Sequence, residues 1–366
     1  MNRIEKALMH ALFTHLHHNI DKAIDFKAIE ALNRKVGKLF PGALLVGPGD
    51  DAAAFRFPGT GGAFVGKMES HCSPCVPRPY DAAATGAGGA MRDVVAMGAR
   101  PLFLMNFLGT RPLEEKVIVG PCGFAGKCTC GTCVEMTSGE RVNLMVKGLQ
   151  DMCRAMDVFI VGGGFSTSFS DIVPATVVSV IGKLVTAKPL TKPAKAAGDR
   201  IILIGRTGSD GNDTLYRAGL VKVMKPAVAL FREERAVMEA SLAAFGTGKI
   251  RACSDLGAAG IGAAVCESAR YGGFGARVDL GKAALREKGL IPEEILICET
   301  QARMVVQVAE KDVDVVLGAI RAKKVRADVI GEITRDDKEI FEHKGRTVAV
   351  IPNTPSPADM KELLHG

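Results

Sequence analysis

The chain has 366 residues and a formal net charge of +7, and 47% of its residues are hydrophobic while 24% are charged. This length suits two domains with a large core, and the composition excludes an intrinsically disordered chain. We predict a cytoplasmic protein without a membrane span or signal peptide, and its diffuse positive charge with few aromatic residues argues against nucleic-acid binding.

Helical and extended patterns alternate irregularly along the first half of the chain. Apolar residues recur at three- and four-residue steps over residues 1–35, which predicts a helical segment. The further predicted elements are strands over 42–50 and 61–70, a helix over 81–99, a strand over 100–108, a helix over 139–157, and strands over 158–168 and 172–185. This irregular order favours the α+β class over a doubly wound parallel sheet.

A proline-containing, weakly apolar segment over residues 186–200 marks the predicted domain junction. A second α/β unit follows it, with a helix predicted over 253–272. The predicted units are an N-terminal helical segment (1–35), an N-terminal domain (36–190) with a cysteine-rich insertion (120–135), a C-terminal domain (195–350) and a C-terminal tail (351–366).

Polar side chains recur on every second residue of the strand predicted over 61–70. Successive side chains of a strand point to opposite faces, so Lys67, Glu69 and His71 share one face. A cation, an anion and an imidazole on one face indicate a site for a polar ligand rather than a buried core.

Several carboxylates lie beside glycine turns or at the start of predicted elements. They are Asp50, Asp51, Glu69, Asp93 and Asp255. Acidic groups clustered without equal numbers of basic partners favour bound cations, and oxygen ligands suit Mg²⁺ with phosphates. The alternative is that the aspartates cap helices or turns, which for Asp255 is about as well supported.

The stretch "ATGAGGAMRDVV" contains Gly86, Gly88 and Gly89 at the predicted start of a helix. Glycines allow backbone N–H groups to approach an anion, and a helix start adds partial positive charge. We therefore predict nucleotide binding there, although the small residues also suit tight packing. Neither a Walker A pattern nor a Rossmann fingerprint accompanies it.

Four cysteines, Cys122, Cys128, Cys130 and Cys133, crowd into "GPCGFAGKCTCGTC". Such a cluster in a cytosolic chain indicates metal or redox chemistry more often than structural disulfides. Three interpretations remain at this point: a zinc or iron–sulfur site, a disulfide or redox pair, or thiols in a loop without such a role.

Several segments together resemble a known enzyme family. They are "GPGDDAAAF" (47–55), "KMESHCSPCVPRPYDAAATGAGGAMRDVVAMGARP" (67–101), "SDLGAAGIGAA" (254–264) and "CETQARM" (298–304). The chain resembles the synthetase half of phosphoribosylformylglycinamidine synthase, within the superfamily of aminoimidazole ribonucleotide synthetase. The resemblance implies a two-domain PurM-like fold. Its N-terminal mixed or antiparallel sheet would pair with a second copy into a barrel, and its C-terminal domain would be an α/β sandwich.

The resemblance also implies residue roles. It makes Lys67 a nucleotide contact, Glu69 a magnesium ligand and His71 a proton acceptor. Asp93 and Asp255 would bind a second magnesium ion, and Asp50 and Asp51 lie where related kinases and maturation factors bind metal. The implied substrate contacts are Ser70, Cys72, Ser73, Arg92, Glu299, Thr300 and Gln301.

The implied reaction uses ATP and Mg²⁺ to phosphorylate an amide or acyl oxygen of a phosphorylated substrate, which ammonia then attacks. A homodimer is expected, and a glutaminase subunit or the medium would supply the ammonia. Cys72 and Ser73 replace the Asn and His that are usual in the family. A paralogue of the hydrogenase-maturation, selenophosphate or thiamine-phosphate kinase type, or a non-catalytic nucleotide-binding protein, therefore remains an alternative.

Overall fold

A computed structural model describes residues 2–18, 26–59, 61–128, 130–168 and 172–353 of the chain. The predicted N-terminal helical segment contains two helices, α1 (Arg3–His18) and α2 (Phe26–Leu39). Residues 19–25, and residues 354–366 of the predicted C-terminal tail, lie outside the described part. None of the described helices is long and apolar enough to cross a membrane.

The N-terminal domain is built on a mixed sheet with the strand order β1-β2-β3-β8-β4-β7. Its strands are β1 (Leu44–Val46), β2 (Ala53–Phe55), β3 (Phe64–Ser70), β4 (Ala99–Gly109), β7 (Phe159–Ser166) and β8 (Ala175–Leu184). Only the β4–β7 pair is parallel among these neighbours. A separate hairpin, β5 (Lys116–Val119) and β6 (Val134–Thr137), follows β4 in the chain.

Two helices cover one face of this sheet, α3 (Pro79–Ala96) and α4 (Ser138–Met156). Proline in the first turn suits α3, whereas α4 begins with a capping box in which Thr137 and Glu140 bond each other reciprocally. The two helices touch at Gly148, where an added methyl group would lie 2.2 Å from the carbonyl oxygen of Tyr80. Nearly all of α3 is buried as a result, including polar residues.

The opposite face of the N-terminal sheet carries exposed apolar side chains. Met68 is 69% exposed, Phe159 is 67% exposed and Val161 is 54% exposed. Monomeric proteins rarely leave a contiguous apolar surface of this kind on a sheet, so the face has the character of an interaction surface.

The C-terminal domain contains a larger mixed sheet with the order β10-β12-β9-β13-β11-β14-β15. Its strands are β9 (Arg200–Ile204), β10 (Ile250–Asp255), β11 (Gly275–Asp279), β12 (Met304–Val308), β13 (Ala327–Thr334), β14 (Lys338–His343) and β15 (Arg346–Pro352). The helices of this domain are α5 (Asp213–Arg217), α6 (Phe231–Phe245), α7 (Gly260–Gly272), α8 (Pro292–Ile297) and α9 (Val313–Ala322).

Strand β9 contributes side chains to two hydrophobic clusters, one on each face of the C-terminal sheet. Ile202 and Ile204 join the cluster that includes α6, α9 and the N-terminal domain, whereas Ile201 and Leu203 join the cluster of α1, α7 and α8. A strand buried on both faces lies in the middle of three layers, with helices above and below. The predicted α+β class is therefore confirmed, and helix α1 packs on the C-terminal domain.

Two predicted boundaries are wrong in a way that matters for function. The segment 81–99 is expected to begin with its glycine-rich stretch and then become a helix, but the helix begins at Pro79 and contains Gly86, Gly88 and Gly89 in its interior. The helix predicted over 253–272 begins only at Gly260, because Ile250–Asp255 forms strand β10. Asp255 therefore ends a strand, and the alternative that it caps a helix is wrong.

Candidate active site

Strand β3 directs Lys67, Glu69 and His71 toward helix α3, as their alternation predicts. The Nζ atom of Lys67 lies 2.9 Å from Oδ2 of Asp93 on that helix. Methyl groups added at Gly89 and Gly86 would lie 3.1 Å from Oε1 of Glu69 and 2.7 Å from Cβ of His71. Two side chains of β3, and His71 directly after its end, therefore lie against one stripe of α3.

Three aspartates from different parts of the fold converge beside this stripe. Asp51 follows β1, Asp93 lies on α3 and Asp255 ends β10 of the other domain. One carboxylate oxygen from each lies within 4.8 Å of the others. Oδ2 of Asp51 is buried and accepts no hydrogen bond. A buried oxygen without a donor, beside two further carboxylates, matches the oxygen ligands that a hard cation such as Mg²⁺ requires.

The cluster is also electrostatically unfavourable without a cation. Burial, and then the neighbouring Asp93 carboxylate, raises the pKa of Asp255 to about 8. The pKa of Asp93 rises to about 7 because burial and the carboxylates of Glu69 and Asp51 outweigh the attraction of Lys67. Adding positive charge would favour the ionised form of each group. The arrangement is therefore suited to a further cation besides the side chains of Lys67, Lys192 and Arg92.

Lysine and arginine side chains enclose the cluster. Lys192 Nζ lies 2.7 Å from Oδ1 of Asp51 and 2.6 Å from Oε2 of Glu267. On the other side, the buried Arg92 guanidinium contacts Glu234, and its Nε lies 3.5 Å from Oδ2 of Asp255. These buried pairs connect the two domains across the cluster.

Lys192 and Glu234 are site residues that the sequence reading missed. Lys192 lies in the segment taken as a plain domain junction, and Glu234 belongs to the charged run "FREERAVME", where Glu233 has the same appearance. Glu234 also accepts a hydrogen bond of 3.1 Å from the Ala302 backbone N–H. No local signal distinguishes either residue, because each acquires its partner only by tertiary contact.

The other predicted metal ligands lie close by in different environments. Both carboxylate oxygens of Asp50 accept from the Lys192 backbone N–H, at 3.0 and 3.2 Å, and burial raises the pKa of Asp50 to about 6. Burial raises the pKa of Glu69, and the charges of Lys67 and Arg92 oppose this shift. Asp50 thus fixes the loop that carries Asp51, and magnesium ligation by Asp50 and Glu69 stays a prediction.

His71 lies over α3 with its Nδ1 atom 3.5 Å from Oγ1 of Thr85. Burial and the positive charge of Arg92 lower the pKa of His71 to about 4. Both effects favour the uncharged imidazole. It is neutral at physiological pH and can accept a proton only from a strongly acidified group.

The predicted substrate contacts near β3 are distributed over both faces. Ser70 is exposed on the opposite face from His71, and Ser73 is exposed at the start of a 3₁₀ turn (Ser73–Cys75). The Cys72 thiol accepts a hydrogen bond of 3.3 Å from the Thr176 backbone N–H. The structure therefore does not bring Ser70 or Ser73 to the carboxylate cluster, and their substrate contacts stay predictions.

The prediction that Gly86, Gly88 and Gly89 form an anion-binding helix start is wrong. These residues lie seven or more positions after the first residue of α3, where backbone N–H groups bond within the helix. They instead leave room for side chains, since a methyl group at Gly88 would lie 3.3 Å from Oε1 of Glu234. A nucleotide contact by the glycines stays a prediction.

Replacing Gly86 with alanine tests this packing role. We expect a loss of about 1–3 kcal/mol in the free energy of unfolding, because the new methyl group would overlap Cβ of His71 and force β3 away. The matched control is Gly318→Ala on α9, where nothing lies within 4 Å, and which we expect to stabilise by about 0.5–1 kcal/mol. Urea unfolding of both variants measures the difference, and equal effects would contradict the packing role.

The predicted Glu299–Gln301 segment lies beside a cavity of roughly 600 Å³ in the C-terminal domain. Thr300 is fully buried, and its hydroxyl accepts from Gly208 N–H at 2.9 Å and donates to Asp210 at 3.1 Å. Gln301 lines the cavity, and Oε1 of Gln301 is buried without a hydrogen bond. The basic residues that line the cavity are Arg206, Arg286, Lys324 and Arg326.

This cavity adjoins the carboxylate cluster through Ala302 and α6. Ala302 lines the cavity and bonds Glu234, which in turn contacts Arg92. In the described part of the chain, neither Arg206 nor Lys324 forms an ion pair. Two unpaired cations in the wall of a cavity that also includes Glu233 suit the anionic group of a ligand. The predicted cysteine cluster lies elsewhere, in the loop between β5 and β6.

Comparison with known proteins gives two family matches and a consistent set of relatives. Residues 49–184 match the model of the AIR synthase related protein N-terminal domain, and residues 196–344 match that of its C-terminal domain. The chain is 35% identical over 328 residues to phosphoribosylformylglycinamidine synthase subunit PurL of Methanosarcina mazei, covering 84% of this chain and 42% of that protein. For Pyrococcus furiosus PurL the identity is 30%, covering 96% and 47%.

Solved structures give the same relationship. "T. maritima PurL complexed with FGAR" superposes with a TM-score of 0.70 at 25% identity, covering 95% of this chain and 52% of that one. "T. maritima PurL complexed with AMPPCP" gives 0.64 at 26% identity, covering 85% and 45%. The chain thus spans a little under half the length of these curated relatives, 42% and 47%.

Proposed function

Because the chain belongs to the AIR synthase related protein family, we propose that it is an ATP- and Mg²⁺-dependent synthetase of the phosphoribosylformylglycinamidine synthase type. In that reaction ATP phosphorylates the amide oxygen of a phosphorylated substrate, ammonia attacks the activated carbon, and phosphate leaves to give an amidine. The observation that carries the proposal is the convergence of Asp51, Asp93 and Asp255 from both domains in one buried cluster.

The cation of this proposal would be held by Asp51, Asp93 and Asp255, with Glu69 beside them. When bound, Mg²⁺ neutralises charge on the phosphates of ATP and aligns the transferred group. The unbonded Oδ2 of Asp51 and the raised pKa values of Asp93 and Asp255 support this assignment. All three are properties of this chain and do not depend on its relatives.

The remaining side chains have roles set by their charge and surroundings. We assign Lys67 to the triphosphate, because its ammonium group lies 2.9 Å from Asp93 and the neighbouring carboxylates keep its pKa raised despite burial. His71 holds a neutral imidazole, so it can accept a proton from the attacking nitrogen as that nitrogen becomes acidic in the transition state. Arg92 orients Asp255 and Glu234 from its buried position.

We assign the anionic end of the phosphorylated substrate to the basic cavity of the C-terminal domain. Its support is the pair of uncompensated cations, Arg206 and Lys324. Its connection to Arg92 through Glu234 and Ala302 would couple substrate binding to the carboxylate cluster. Ammonia would come from a glutaminase partner subunit or from the medium.

The test of this function is the release of ADP. We expect ADP formation over many turnovers to require Mg²⁺, formylglycinamide ribonucleotide and ammonia together, because the phosphorylated intermediate occupies the site until ammonia displaces its phosphate. His71→Asn should retain ATP binding but lower the rate by about 100-fold or more. Omitting each component in turn is the control. Wild-type ADP formation that does not respond to the purine precursor would contradict the proposed substrate.

A second candidate is a kinase or maturation-type enzyme of the same superfamily. It is favoured by Asp51, which belongs to the carboxylate cluster at a position where those branches bind metal. ADP formation with a thiol, carbamoyl or phosphate acceptor, and without the purine precursor, would support it. Nucleotide binding without turnover of any acceptor would instead indicate a non-catalytic nucleotide-binding protein.

We also propose that two copies pair through the exposed face of the N-terminal sheet, closing it into a barrel. The exposed Met68, Phe159 and Val161 support this arrangement. Met68→Asp should convert a dimer into a monomer, because pairing would bury the new carboxylate at this face. The control is Val315→Asp, at a residue that is 54% exposed on α9. Light scattering measures the mass, and a monomeric wild type at micromolar concentration would contradict pairing.

A further inference from the structure

The loop between β5 and β6 brings four thiols together outside the candidate active site. The sulfur atoms of Cys122, Cys128, Cys130 and Cys133 lie within 4.8 Å of one another. The Cys128–Cys130 distance is 3.9 Å, and the Cys130–Cys133 distance is 3.6 Å. The spacing in sequence left three interpretations open, and the convergence of all four thiols, rather than of one pair, favours a metal site.

A tetrahedral Zn²⁺ ion with Zn–S bonds of about 2.3 Å holds its sulfurs about 3.8 Å apart. A disulfide requires about 2.05 Å, far below both observed distances. A cluster of several irons binds its thiolates to different metal atoms, which spreads them farther than one ion does. We therefore propose that Cys122, Cys128, Cys130 and Cys133 bind a single Zn²⁺ ion as a closed tetrathiolate site.

The backbone of the loop is arranged around this cluster. The Cys122 N–H donates to Sγ of Cys133 over 3.3 Å, which supports a sulfur that accepts hydrogen bonds as a thiolate does. Gly120 has φ +136°, and a methyl group there would lie 2.8 Å from Sγ of Cys133. No larger residue can occupy that position without displacing a ligand, so the turn and the thiol geometry are interdependent.

The same loop packs against the segment that follows His71. A methyl group at Gly123 would lie 2.6 Å from Cγ1 of Val76 and 2.7 Å from the carbonyl oxygen of Ile118. Val76 is fully buried at the end of the turn Ser73–Cys75. The loop between β5 and β6 therefore supports the segment between His71 and α3. The four cysteines of this loop are positioning residues rather than catalytic ones.

Metal analysis of the full chain, purified without oxygen, tests the site directly. We expect one zinc per chain, and we expect Cys130→Ser and Cys133→Ser to lose nearly all of it. The matched control is Cys153→Ser, a buried thiol of α4 in the same domain, which should retain zinc. Iron in place of zinc, or full zinc retention in both ligand variants, would overturn the proposal.

A measurement on the wild-type chain covers the case in which the ligand variants fail to fold. Exchange of the metal for Co²⁺ should give the visible absorption of a tetrahedral tetrathiolate, whereas an octahedral Co²⁺ spectrum would overturn the site. Removing the metal should also speed hydrogen exchange of the Val76 and Arg78 amides, which bond Ser73 and Pro74. Exchange that stays unchanged there would overturn the supporting role. Neither readout depends on catalytic activity.

Discussion

Asp255→Asn is expected to lower kcat/KM for ATP by about a thousandfold, because loss of one carboxylate ligand removes several kcal/mol of charge stabilisation from the transition state. Asparagine has nearly the same shape, so Arg92 keeps its contact with Glu234. Steady-state kinetics over a range of Mg²⁺ concentrations measures the effect. The control is Asp213→Asn, on the short helix α5 at a partly exposed position, which should leave kcat/KM unchanged.

The same substitution should act in the opposite direction on the stability of the metal-free protein. The pKa of Asp255 is raised from 3.8 to about 8 in the folded state. A raised carboxyl pKa contributes stability below pH 4, and that stability is lost as the pH rises through about 8. Metal-free wild type should therefore become less stable across this window.

Asparagine at position 255 removes the charge that causes this loss. We expect the free energy of unfolding of the metal-free variant to exceed that of the wild type at neutral pH by at least about 1 kcal/mol, which corresponds to about 1–2 °C in Tm for 366 residues. Adding Mg²⁺ should stabilise the wild type much more than the variant. Thermal unfolding with and without Mg²⁺ measures both effects, and a variant less stable than metal-free wild type would contradict the cluster.

Glu234→Gln is expected to destabilise the protein by about 3–5 kcal/mol, because it leaves the buried Arg92 guanidinium without its closest counter-charge. The Arg92 side chain is 4% exposed and that of Glu234 is 1% exposed, so water cannot replace the lost partner. Oε1 of Glu234 also accepts from Ala302 N–H, a hydrogen bond that the glutamine oxygen can keep, so the expected loss is that of the charge. Urea unfolding measures the change.

The matched control lies on the same helix. Glu239→Gln removes a carboxylate that pairs with Arg100 at 2.7 Å, but its side chain is 28% exposed and that of Arg100 is 39% exposed. Solvent screens such a pair, so we expect a loss of no more than about 1 kcal/mol. Equal losses in the free energy of unfolding of the two variants would contradict a larger contribution from the buried Arg92–Glu234 pair.

The sequence by itself determined the features that depend on local order along the chain. The alternation of Lys67, Glu69 and His71 placed them on one face, because a strand has a period of two whatever surrounds it. The cysteine spacing in residues 122–133 also predicted a compact cluster, because four thiols within twelve residues cannot lie far apart. The irregular order of elements predicted the α+β class.

Only the tertiary structure decided how distant parts of the chain combine. Asp51, Asp93 and Asp255 meet because the loop between β1 and β2, helix α3 and strand β10 converge, and the raised pKa values of Asp93 and Asp255 arise from burial that no local pattern encodes. The lowered pKa of His71 has the same origin. Lys192 and Glu234 were missed because their partners are contributed by distant segments. Periodicity is a property of neighbouring residues, whereas charge environment depends on packing between domains, which sequence spacing does not specify.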